Sequence, residues 1–86
     1  MARFFFNIHY AETWIEDEDG LELDDLQAAQ IEAESVLREL VAMSILQPDR
    51  QCPARVQITG GGTGEVGSVK LRAILPPNIV ALLPPE

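Results

Sequence analysis

Residues 24–48 read DDLQAAQIEAESVLRELVAMSILQP, and this stretch decides the fold. Leu26, Ala29, Ala33, Val36, Leu37, Leu40, Val41 and Ser44 recur at the spacing of one helical stripe. Asp24 or Asp25 supplies a cap, and Asp24 followed by Gln27 resembles a capping box. The acids of the entry sit at the positive end of the helix dipole. The pattern runs to about Leu46, where Pro48 enforces a stop. Ala28, Ile31, Ser35, Ala42 and Leu46 form a second, weaker stripe on the opposite side, which a helix buried on one side does not need.

On either side of this helix the period changes from 3.6 to 2. In Arg3–Tyr10, Phe4, Phe6, Ile8 and Tyr10 fall on one face and Phe5, Asn7 and His9 on the other. A short connection at Ala11-Glu12 leads to a second strand over Thr13–Glu16, and Asp17-Glu18-Asp19-Gly20 reads as a turn. There Asp provides a side-chain bond and Gly the positive φ. Beyond the helix, Ala54–Thr59 alternates with Val56 and Ile58 inward, Gly60–Gly64 is a turn, and Val69, Leu71, Ala73 and Leu75 mark the returning strand. The expected fold class is α+β, ββαββ, with one antiparallel sheet packed on one face by a single long helix. The small alanines are expected to let that helix lie close over Phe4 and Phe6. Residues 1–77 form the expected domain, and 78–86 an apolar tail flanked by prolines.

The chain has 86 residues, 47% of them hydrophobic, which suits one small folded domain and not a disordered chain. One cysteine, Cys52, excludes an internal disulfide and fits a reducing compartment. The apolar run at the start is too short for a signal sequence, so the cytoplasm is the expected location, with no membrane contact. The net charge of −8 is uneven. Residues 1–49 carry twelve acids against Arg3 and Arg38, whereas residues 50–86 carry two acids and four bases. Nucleic acid is a poor partner for such a chain, and a basic protein a better one.

No motif reads as catalysis, so the expectation is a protein that is not an enzyme and uses no cofactor and no metal. A calcium loop with Gly20 at its sixth place would need ligands at Ile15 and Leu26, and neither has an oxygen donor in its side chain. Gly62-Thr63-Gly64-Glu65-Val66-Gly67 matches a dinucleotide fingerprint only formally, because a strand follows it and not a helix. His9 has no partner nucleophile placed by sequence, and a small ligand site or enzyme around it is an alternative reading. Lys70, Arg72 and Arg55 make a small basic stripe on the outer face of the second hairpin, without the interleaved aromatics of a nucleic-acid surface.

The features left over concern association. One sheet face and the second helix stripe lack an apolar cover, and oligomerisation is the usual supplement for so small a core. A homodimer is therefore expected. The expected role is a protein–protein interaction module, with Phe5, Trp14 and Ile31 as apolar contacts and Glu16, Asp17, Glu18 and Asp19 as a charged rim. A nucleic-acid-mimicking inhibitor of a basic enzyme is the sharper alternative.

Arg3-Phe4-Phe5-Phe6, the Asp17–Gly20 turn, and Asp25 with Ala28, Ala29 and Ala33 together resemble a family of short bacterial proteins classed as a domain of unknown function. The resemblance covers roughly residues 3–75. It implies the α+β fold, and because the family has no assigned activity it gives no mechanism. The second hairpin departs from the family pattern, having Gly60–Gly64 in place of an Asp-x-x-Gly turn. The order of elements also looks like that of the antitoxin partners of small messenger-RNA-cleaving toxins, an analogy of fold that leaves function open.

Overall fold

The alternation of Phe4, Phe6 and Ile8 with Phe5, Asn7 and His9 makes the first strand the spine of the sheet. In the computed structural model, which describes residues 2–60, 62 and 64–83, β1 (Ala2–His9) pairs along both edges. On one edge lies β4 (Arg55–Gly60), antiparallel, with Phe6 opposite Ile58 and Ile8 opposite Val56. The other edge is shared by two short strands. β2 (Trp14–Ile15) pairs with Ile8 and His9, and β3 (Leu21–Leu23) pairs with Ala2, Arg3 and Phe4. β5 (Gly64–Lys70) flanks β4, so the order runs β2 and β3, then β1, β4 and β5, all antiparallel. The fold is α+β, one open antiparallel sheet packed by one long helix.

That helix, α1 (Leu26–Leu46), starts where the sequence places a cap, and the cap is Asp25. Its Oδ1 accepts the Ala28 N–H at 2.9 Å, while its backbone is extended, so the Asp24–Gln27 capping box does not form. At the other end the Gln47 N–H closes on the Met43 carbonyl at 2.9 Å, just ahead of Pro48. Ala29, Ala33, Leu37 and Val41, each four residues from the next, are the buried stripe. They join Phe4, Phe6, Val56, Ile58 and Val69 in one core, with Ile8, Leu23 and Val36 packed at its margin. The helix lies nearest β4 and β5 instead of directly over Phe4 and Phe6. Gly67 explains the approach: a Cβ there would come within 3.0 Å of the Gln30 side chain. β-Branched and glycine positions of the second hairpin leave room for the helix that two phenylalanines do not.

The returning strand is shorter than its alternation predicts. β5 stops at Lys70, opposite Arg55, and Leu71 donates a last bond to the Ala54 carbonyl at 2.9 Å. Beyond that point β4 offers no ladder, because the chain before Ala54 is Pro53, which has no N–H. The backbone satisfies itself locally in α2 (Leu71–Ile74), and Leu71 and Ile74, three apart, both pack on the core. A bulge after Ile58 opposes Gly67 to Ile58 and Glu65 to Thr59, leaving Val66 unpaired on the edge. In the tail, Pro77–Val80 forms a single turn, α3, with proline at its start, and Ile79 and Val80 donate to the Pro76 carbonyl. Leu83 then borders a hollow of about 330 Å³ beside Ala54, Arg55, Lys70, Leu71 and Arg72. The remaining tail residues, 84–86, lie outside the described residues.

Candidate functional site

Strand pairing places side chains on the helix-free face of the sheet without ambiguity, since residues opposite one another share a face. Arg3, Phe5, Asn7 and His9 of β1 stand there with Glu22, Trp14, Thr59, Gln57 and Arg55 of the neighbouring strands. Ile15, opposite Ile8, falls on the helix side. Trp14 stacks on His9, with ring centres 5.5 Å apart and planes 11° from parallel, and half of it is exposed.

A polar network crosses the middle of this face. Asn7, only 5% exposed, donates to Gln57 Oε1 at 3.1 Å and accepts the Asp17 N–H at 2.9 Å. Gln57 donates onward to Glu65 at 2.8 Å, which fixes its amide orientation, and Arg55 reaches the same carboxylate at 3.3 Å. Gln57 Oε1 can only accept, so His9 Nε2, 3.3 Å away, carries the proton in that contact. The Gln57 amide and then the Arg55 guanidinium hold the Glu65 carboxyl below the usual carboxylate range.

The Asp17–Gly20 turn fills the gap between β2 and β3, where β1 would otherwise face solvent. Asp17 Oδ2 accepts the Phe6 N–H at 3.1 Å, and Oδ1 accepts those of Asp19 and Gly20. Partial burial works against the Asp17 charge, but these bonds from Gly20, Phe6 and Asp19 outweigh it and hold the carboxyl below its usual range. Gly20 is confined twice: its φ is +72°, and a Cβ would meet the Phe4 carbonyl and the Phe5 ring at 2.9 Å. Arg3 closes the turn from outside, bonding the Asp19 carbonyl at 2.7 Å and Glu22 at 3.4 Å.

Between this turn and Thr59, Gly60, Gly62 and Gly64 of the second hairpin runs a groove of about 470 Å³. Phe5 and Asn7 form its floor, and Glu16, Asp17 and Glu18 one wall. Five of the residues singled out from the sequence thus meet on one face: Phe5, Trp14, Glu16, Asp17 and Glu18. Asp17, expected on a charged rim, has both oxygens committed to backbone bonds. Asp19 is exposed at the turn. Ile31 stands apart, on the helix layer and 62% exposed. The Asn7–Gln57–Glu65 network was missed. Its one sequence signal is Asn7 itself, an amide amid aromatic and aliphatic strand residues. The basic stripe is split, with Arg55 and Lys70 paired across strands and Arg72 in α2.

His9 contacts an indole and an amide, neither a nucleophile. Among the described residues no three His, Cys, Asp or Glu side chains gather to hold a metal ion, and no helix is long and apolar enough to cross a membrane. An exposed aromatic plane beside carboxylates is suited to a cationic, apolar-stemmed side chain. No curated protein and no solved structure matches the chain. Residues 3–72 match the domain of unknown function DUF6894, and the chain belongs to that family.

Proposed function

We propose that the chain is a cytoplasmic protein–protein interaction module whose helix-free sheet face receives a basic partner. One observation carries this reading: Trp14, half exposed, and the groove floored by Phe5 share a face with Glu16 and Glu18, whose carboxylates make no bond among the described residues. An arginine or lysine of the partner gains a ring face and a carboxylate at one place. The charge of the first half steers such a partner in, and the uncommitted acids give direction to that attraction.

The test is affinity capture on immobilised protein, run in parallel with Trp14→Ala and with the double variant E16K/E18K. A basic protein retained by the native chain, lost by both variants and released by moderate salt is the expected result. Capture that survives both variants contradicts the reading. An inhibitor that mimics nucleic-acid charge is the narrower form of the same proposal, and it adds loss of the captured enzyme's nucleic-acid binding.

A further inference from the structure

The solvent side of α1 carries a second pattern. Ile31, Ser35, Arg38, Ala42 and Ile45 follow one another at alternating intervals of four and three residues, and all five are exposed. Ile31 and Ile45 are 62% and 72% exposed, and Leu46 beside them 80%. Alternating four and three is the spacing of a helix–helix seam, narrower than the stripe that faces the sheet. The residue types repeat from either end, isoleucine outermost seven residues from Arg38 on each side, a small residue three or four from it, arginine at the centre.

We propose that this seam is a twofold interface, taken by α1 of a second copy lying antiparallel. With the axis beside Arg38, Ile31 of one copy meets Ile45 of the other. Ser35 meets Ala42, and these small side chains permit close approach of the helices. The two Arg38 side chains then meet at the axis, and each lies within about one turn of Glu34 on the opposite helix, whose carboxylate answers their repulsion. Arg38 and Glu34 are four apart on their own helix, yet they form no ion pair there, and Arg38 makes no bond among the described residues. Its guanidinium is left for a carboxylate from outside, and the twofold supplies one for each copy. The dimer is independent of the partner reading above, since it leaves Trp14 and the groove open.

Sedimentation equilibrium of the full chain over a concentration series tests it. The expected result is a reversible monomer–dimer equilibrium that Ile31→Glu or Ile45→Glu each weakens roughly tenfold or more. Circular dichroism should stay native for both, since the replaced side chains are exposed. Arg38→Glu weakens the dimer, and the charge swap E34R/R38E restores it, which a merely structural role would not produce. A chain that stays monomeric throughout, or a dimer indifferent to Ile45→Glu, overturns the proposal. A dimer lost with Trp14→Ala and kept with Ile45→Glu also overturns it, by moving the contact to the sheet.

Discussion

The two faces of this sheet are built from the same strands and are held by different physics. On the helix side, Val56, Ile58 and Leu37 are fully buried, and apolar burial with close packing supplies the stability. On the open side, Asn7, Gln57 and Asp17 are held by directional bonds that specify a shape and contribute little net energy each. Loss of volume should be costly on the covered face, and loss of a side chain on the open face should cost more at its centre than at its rim, where Trp14 and Glu16 stand.

That contrast breaks most sharply at Ile58. Truncation to Ala should cost about 2–5 kcal/mol through lost burial and a cavity, read as a shift in the urea midpoint at unchanged m-value. Gly20→Ala comes next, at about 1–3 kcal/mol, because positive φ and the Phe4 carbonyl both oppose a methyl group. A native-like melting temperature for this variant would show that the turn relaxes freely. Asn7→Ala, which strands the Asp17 N–H and one bond of Gln57, should cost about 1–3 kcal/mol, with slower-exchanging amides lost at Phe6 and Asp17.

Acid resolves the same centre. The Asp17 carboxyl is lowered in the folded state, so its contribution is present above the unfolded value of about 4 and is lost as pH falls through the folded one. Denaturant midpoints measured on either side of pH 4 should therefore converge between the native chain and Asp17→Asn at the acid end and diverge above it. A constant gap across that range would mean that the charge is not what the turn uses. The smallest effect is expected at the rim: Trp14→Ala should alter stability by less than about 1 kcal/mol, since the ring is half exposed, while abolishing partner capture. A large loss of stability would make Trp14 a packing residue instead.

Local patterns carried much of this architecture. The spacing of Ala29, Ala33, Leu37 and Val41, the Asp25 cap and the Pro48 stop all lie within a few residues of their effect, as does the Asp17–Gly20 turn. What stayed hidden depends on partners distant in sequence. The alternation through Leu71, Ala73 and Leu75 is real, but β5 ends where β4 runs out of backbone to pair with, so the last residues coil and pack the half-buried Leu71 and Ile74 against the core. Whether Trp14 or Ile15 faces the open side rests on the His9–Trp14 register, which a strand of two residues does not reveal alone. Asn7 and Gln57 are fifty positions apart, and only the β1–β4 register joins them. Phe5, Trp14, Glu16 and Glu18 stand out in the sequence as uncovered aromatics and uncompensated charge, and strand register decides that they share one face.

The central claim, that the open sheet face is the binding face, is tested most directly by amide and indole NMR during titration with an oligo-arginine peptide. The account predicts shifts concentrated at the Trp14 indole N–H, Phe5 and residues 16–19, and their loss in Trp14→Ala. Shifts spread equally over Glu12, Glu34 and Glu39, or centred on α1, would contradict it.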